Sequence, residues 1–196
     1  DTFSVNASGQ VTLNGQLPVN TPSIRTLTLA GLDGDDTFNI TGPLPFTTTV
    51  VDGGDPSASD SVTLNGDASS AAVLTTGDPT QQTVTGANLG TVTLTGVEVL
   101  NLTNGAGAIT VNGTPGPNAL AVTPTGANTA SISVAGLSPL VNTTNAGSLT
   151  INEGNAGDGD SVAVNGTTAA DTITVSRGTS TTVTVVGLKP ITVTTA

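Results

Sequence analysis

Short runs in which apolar and polar residues alternate fill most of the chain. Residues 26–30 read TLTLA, residues 91–95 read TVTLT and residues 148–152 read SLTIN. A period of two residues is that of a β-strand with one buried face. Gly, Asn, Asp and Pro cluster between the runs, as is typical of turns. The pattern predicts an all-β protein that is built from many short strands.

One phrase, apolar–small–apolar–Asn–Gly, recurs about every 50 residues. Its copies occupy residues 11–15, 62–66, 109–113 and 162–166. Asn-Gly after an alternating run marks a tight turn, because both residues tolerate positive φ. A repeat of this length is typical of solenoids and propellers. The predicted units are about 11–61, 62–108, 109–161 and 162–196, and the last continues into residues 1–10 of a next copy.

Segments inside the units predict how each one folds. Residues 71–90, 119–140 and 171–191 each read as strand, Gly-containing turn and strand, which predicts about one hairpin per repeat. Stacked repeats would bury their Val, Leu, Ile and Ala faces against their neighbours. We therefore predict one continuous body over residues 1–196, a β-solenoid similar to a parallel β-helix. The alternative is an Ig-like β-sandwich, although that fold usually has a core Trp or Tyr, which this chain lacks.

Composition narrows the expected partners. The chain has 196 residues and a net charge of −11, with 14 acidic residues against three basic ones, Arg25, Arg177 and Lys189. Three basic residues cannot neutralise a phosphate backbone, and neither Trp nor Tyr is present to stack on bases, so nucleic acid is not an expected partner. No apolar run approaches the ~20 residues that would insert across a bilayer. Lys189 is expected in a solvent-exposed turn.

Acidic, Gly-rich loops hold most of the candidate chemistry. In GLDGDDTFNI, residues 31–40, four positions fit the calcium-binding nonapeptide of β-rolls, G-G-x-G-x-D-x-U-x, whereas Leu32 does not fit. Ca²⁺ takes about six to eight oxygen ligands, which carboxylates and the carbonyls of Gly-rich turns can supply. Similar loops lie at 52–64 and 154–164. Calcium is therefore the one cofactor expected, and its candidate ligands are Asp33, Asp35, Asp36, Asp158 and Asp160.

A second interpretation of these loops needs no ion. β-Rolls hold calcium between consecutive nonapeptides, but here single copies are tens of residues apart. The aspartates would then cap turns through neighbouring backbone amides and lead into the following strands. The residues alone leave both interpretations open.

The same loops resemble repeat segments of giant secreted bacterial surface proteins and adhesins. Those proteins carry Gly-Asp-rich loops between β-strands and are distantly similar to the calcium-binding β-rolls of repeats-in-toxin proteins. The resemblance implies an extracellular or cell-surface location. It also implies that the partners are copies of the same chain or adjoining repeats, with a glycan as a further candidate partner.

The absence of reactive side chains favours a structural role. Cys, Met, Trp, Tyr and His do not occur, so little can be oxidised and neither a Ser-His-Asp triad nor a Cys/His zinc site can form. We predict no enzyme but an extracellular structural repeat of a filament, sheath or stalk, which assembles end to end through β-strand edges. One alternative is a calcium-dependent adhesin or glycan-binding module. The other is a polysaccharide-active β-helix enzyme, which would need paired carboxylates.

Overall fold

The computed structural model describes residues 1–55, 59–78, 81–114, 116–137, 139–154 and 159–194. These residues form twenty β-strands and no helix, which confirms the all-β prediction. Accordingly, none of the described segments is a helix that could cross a membrane. In chain order the strands are β1 (Thr2–Val5), β2 (Gln10–Leu13), β3 (Val19–Asn20), β4 (Thr26–Ala30), β5 (Thr37–Thr41), β6 (Thr48–Asp52), β7 (Ser61–Asn65), β8 (Ala72–Asp78), β9 (Gln81–Gly86), β10 (Thr91–Thr95), β11 (Val99–Thr103), β12 (Ala108–Asn112), β13 (Ala119–Gly126), β14 (Thr129–Val134), β15 (Leu140–Thr144), β16 (Ser148–Asn152), β17 (Ser161–Val164), β18 (Ile173–Arg177), β19 (Thr181–Val185) and β20 (Ile191–Thr194).

The strands form two ten-stranded sheets, and the apolar core lies between them. Sheet A has the order β17-β13-β14-β15-β11-β7-β5-β1-β2-β3. Sheet B has the order β18-β19-β20-β16-β12-β8-β9-β10-β6-β4. The chain passes repeatedly from one sheet to the other, so each pass adds a rung to a growing stack.

Parallel pairing between strands that are far apart in sequence identifies the fold as a β-solenoid. In sheet A, strands β1, β5, β7, β11 and β15 lie parallel and in register. In sheet B, strands β8, β12, β16 and β20 do the same. An Ig-like sandwich is built from antiparallel strands. The solenoid prediction is therefore confirmed over its alternative.

The hairpins expected within the repeats are present, and each is extended to a three-stranded antiparallel meander. Strands β8–β10 form such a meander in sheet B, β13–β15 in sheet A and β18–β20 again in sheet B. Successive meanders thus alternate between the sheets. The meander of one unit of about 50 residues therefore lies in one sheet, and the meander of the next unit lies in the other sheet.

Alternation within each strand separates the core from the surface. Leu100 and Leu102 of β11 are fully buried, whereas Asn101 between them faces outwards. On the outer surface the Asn142 side chain donates a hydrogen bond to Asn101 Oδ1 at 3.1 Å. Inside, the rings of Phe3 and Phe38 stack with centroids 5.0 Å apart and planes 7° apart. Small and branched side chains suit this narrow core, because strands in each sheet repeat at about 4.8 Å.

The expectation that Lys189 lies in a solvent-exposed turn is wrong. Its side chain is buried, and Nζ donates hydrogen bonds to the carbonyls of Ala146 at 2.6 Å and Gly147 at 2.7 Å. These carbonyls belong to the turn between β15 and β16. A buried ammonium group needs such acceptors because it has lost its water. Lys189 therefore ties the last meander to the preceding one.

Candidate functional site

The acidic loop at residues 31–36 lies where the chain leaves sheet B after β4 and enters sheet A at β5. Asp33 and Asp35 are exposed on the outside of this turn, whereas Asp36 is buried. Asp35 Oδ1 accepts a hydrogen bond from Ser59 N at 3.0 Å. Asp36 N donates to Asp60 Oδ1 at 2.7 Å. The three aspartates that looked like one ligand group thus face different surroundings.

Asp36 belongs to a ladder of acidic residues, one on each of four successive rungs. Asp1, Asp36, Asp60 and Glu98 directly precede β1, β5, β7 and β11, whose first residues are paired in register. Asp60 N donates to Glu98 Oε2 at 2.7 Å, and the amino group of Asp1 contacts Asp36 Oδ1. Each carboxylate therefore bonds to the rung before it. We call Asp36, Asp60 and Glu98 the acidic corner.

Glycines make room for these carboxylates. Gly31, Gly53 and Gly96 follow β4, β6 and β10, which are paired in register. A Cβ on Gly31 would collide with the Asp36 carboxylate, and one on Gly53 would collide with the Asp60 carboxylate and with the Gly96 carbonyl. The stack is fixed by hydrogen bonds from Gly31 N to Asp52 O at 2.8 Å and from Gly53 N to Thr95 O at 2.9 Å. Only glycine fits at these two positions.

The acidic corner is electrostatically costly. The Oδ2 atoms of Asp36 and Asp60 are buried and accept no hydrogen bond. Burial raises the pKa of Asp60, and the nearby carboxylates of Asp36 and Asp35 raise it further, while the hydrogen bond from Asp36 N acts in the opposite direction. A proton or a cation would relieve this repulsion, because either one neutralises charge between neighbouring rungs.

The arrangement leaves the calcium prediction untested. Among the described residues, no three His, Cys, Asp or Glu side chains come together in a group that could hold a metal ion. Asp160 bonds to the neighbouring rung, since its Oδ1 accepts hydrogen bonds from Asn118 N at 2.8 Å and Asn118 Nδ2 at 3.1 Å. Asp158 lies outside the described residues. Calcium at Asp33, Asp35, Asp36, Asp158 and Asp160 thus stays a prediction.

Sequence reasoning did not single out Asp60, Glu98 or Asn118. Each directly precedes a strand of sheet A, in the same position as Asp36 and Asp160. That shared position, an acidic or amide residue immediately before an alternating run, is a signal that the sequence did contain. The signal was not recognised because the hydrogen-bonded partners are 24 and 38 positions apart in the sequence, and no local pattern relates positions so far apart.

A shallow cavity of about 280 Å³ lies on the outer surface of sheet A. Side chains that are polar and uncharged line most of it, among them Asn6, Gln10 and Asn39. Such groups can hydrogen-bond a neutral sugar, but no aromatic ring is among the lining residues. A glycan partner stays a prediction.

We expect Asp60 to make stability fall as the pH rises. Because the pKa of folded Asp60 lies above its ordinary value of 3.8, its contribution is complete below about pH 3.8 and is lost as pH rises through the folded pKa. Melting temperatures measured from pH 3 upwards should show this loss, and Asp60→Asn should remove it. An unchanged pH profile in that variant would contradict the assignment.

Asp67→Asn is the matched control because its expected sign is opposite. Hydrogen bonds from Ser69 and then Asn88 lower the pKa of Asp67. Its contribution is therefore present above about pH 3.8 and lost as the pH falls through the folded pKa. Asp67→Asn should flatten the acid side of the profile and leave the loss at rising pH intact.

No protein-family model, curated protein or solved structure matches this chain.

Proposed function

We propose that this chain is a structural repeat unit of an extracellular or cell-surface filament, sheath or stalk. Neighbouring copies, or adjoining repeats of the same chain, join end to end through β-strand edges. The observation that carries the proposal is that, among the described residues, apolar side chains are exposed beside the edge strands at both ends of the solenoid. The proposed role involves no catalysis.

At one end the inner face of β18 is uncovered. Ile173 and Val175 face the same side as Val185 and Val183, their partners in β19. Yet Ile173 is 50% exposed and Val175 is 64% exposed, whereas Val185 is buried. Within the described residues β18 pairs only with β19, so its outer edge has unpaired amides and carbonyls.

The other end is similarly open. Leu17 is 90% exposed and Val19 in β3 is 62% exposed. In the described part of the chain, β3 pairs only with β2 and β4 pairs only with β6. Both sheets thus end in strands with one free edge.

Free edges and exposed core residues favour assembly. Unpaired backbone groups are a template for another strand, and a solenoid without polar caps needs a neighbour to cover its last rung. A second solenoid stacked on β18 would continue sheet B and bury Ile173 and Val175 at about 25 cal/mol per Å² of apolar surface. If the β18 end of each solenoid contacts the opposite end of the next copy, repetition of this contact generates an open-ended filament.

Sedimentation and electron microscopy test this proposal. We expect the purified chain to form linear particles as its concentration rises, with a fibre reflection at the strand spacing of about 4.8 Å. Val175→Lys should block assembly, because it places a charge where the next rung would pack. Its matched control is Thr174→Lys, on the outer face of the same strand, which should still assemble.

The melting temperature of Val175→Lys should stay close to that of the parent, because an exposed position contributes little to the isolated unit. A chain that stays monomeric at every concentration would overturn the proposal. Equal loss of assembly in both lysine variants would also count against contact through the β18 edge.

A further inference from the structure

The outer face of sheet B carries two adjacent rows that are rich in threonine. In the first threonine row, nine of ten successive strands contribute Thr or Ser. Its members, in sheet order, are Thr26, Thr48, Thr91, Thr85, Val73, Thr110, Thr150, Thr192, Thr182 and Ser176. All of them are exposed or half-buried rather than buried.

The second threonine row runs beside the first, two residues along each strand. Its members are Thr28, Val50, Thr93, Thr83, Thr75, Asn112, Asn152 and Thr194. Hydrogen bonds link part of this row along the solenoid axis: Asn152 Nδ2 donates to Asn112 Oδ1 at 3.2 Å, and Asn112 Nδ2 donates to Thr75 Oγ1 at 3.4 Å. These side chains are therefore held at fixed positions.

Together the rows form a two-dimensional grid. Neighbouring strands are about 4.8 Å apart, and residues i and i+2 of one strand are about 6.7 Å apart. Threonine is β-branched, so its χ1 angle is restricted and its methyl and hydroxyl groups have defined directions. The grid therefore presents a repeating pattern of apolar and hydrogen-bonding groups.

The grid is also free of charge. No member of either row is ionisable, and Asp52 and Arg177 stand at the ends of β6 and β18. The rings of Phe38 and Phe46 are buried and that of Phe3 stacks on Phe38 inside the core, so they are not available on this face to stack on a sugar. A neutral face without aromatic rings fits a neutral partner that repeats on a lattice and is recognised by hydroxyl and methyl groups.

We propose that the outer face of sheet B binds ice. On a prism face of hexagonal ice the oxygen atoms repeat at spacings close to the two spacings of the grid. The hydroxyl groups would hydrogen-bond ordered water that continues the lattice, and the methyl groups would occupy the gaps in it. Filament formation does not require this face, because end-to-end contacts use strand edges at right angles to it.

Measurements on ice test the proposal. Thermal hysteresis, inhibition of ice recrystallisation and adsorption of fluorescently labelled protein to a single ice crystal should all be observed for the parent chain. The double variant Thr110→Lys with Thr150→Lys puts two long charged side chains on adjacent rungs of the first row. Its thermal hysteresis should fall to that of buffer, and its melting curve should show that it remains folded.

The matched control is Thr63→Lys with Asn101→Lys, on adjacent rungs of the outer face of sheet A. This control should keep the full effect on ice. No thermal hysteresis in the parent chain, or equal loss in both double variants, would overturn the proposal. Adsorption to crystalline cellulose without adsorption to ice would overturn it as well, and would identify a neutral polysaccharide as the partner.

Discussion

Gly53→Ala is expected to remove about 4 kcal/mol or more of the free energy of unfolding. A Cβ at this position would lie far inside van der Waals contact with the Gly96 carbonyl and with the Asp60 carboxylate. The carbonyl is main chain of the next rung and cannot move without breaking the hydrogen bond from Gly53 N to Thr95 O. Urea denaturation, followed by circular dichroism, would measure the change.

Gly116→Ala is the matched control for this prediction. A Cβ at Gly116 would meet no atom within 4 Å, and its backbone is not in the left-handed region. We expect its unfolding free energy to stay within about 0.5 kcal/mol of the parent or to rise slightly. If Gly53→Ala changed the free energy of unfolding as little as Gly116→Ala does, the close approach of Gly53 to Asp60 and Gly96 would be contradicted.

Phe38→Ala is expected to cost about 3–5 kcal/mol, because it leaves a cavity in a close-packed core. Phe38 is fully buried, and its ring stacks on that of Phe3 across the β1–β5 pair. Loss of this stack accounts for about 0.5–1.5 kcal/mol of the total. The same urea titration would measure the effect.

Two variants serve as controls for the Phe38 prediction. Phe38→Leu retains most of the buried volume, so we expect it to cost clearly less than the alanine variant. Leu17→Ala removes a side chain that is 90% exposed and should change stability by no more than about 0.5 kcal/mol. A Phe38→Ala cost as small as that of Leu17→Ala would show that the Phe3–Phe38 pair is not part of the core.

The sequence was sufficient to predict much of the fold. The run TVTLT became strand β10 with Val92 and Leu94 buried, because alternation directly encodes which face of a strand is apolar. Hairpins at 71–90, 119–140 and 171–191 were also predictable, since their turns are local. What the 50-residue spacing did not show was that successive units alternate between the sheets.

The candidate site was harder to predict from sequence than the fold. The spacing of Asp33, Asp35 and Asp36 indicated one group of ligands, but the backbone turns Asp36 inwards and leaves the other two outside. Its partner Asp60 is 24 residues away, and Glu98 is 38 residues beyond that. Lys189 likewise looked like a surface residue, because its buried carbonyl partners lie 42 and 43 residues earlier in the chain.

By itself the sequence determined where the strands lie and which face of each is apolar, because both follow from short-range alternation and turn residues. The repeat of about 50 residues favoured a solenoid, and the parallel pairing of distant strands decided for it over the sandwich. Only the tertiary structure decided which strands share a sheet, that acidic residues meet at one corner, and that threonines align in rows on sheet B. Those features depend on the register between distant strands. The register is set by the lengths of the loops between strands and by packing between the sheets, and no single stretch of the chain specifies either.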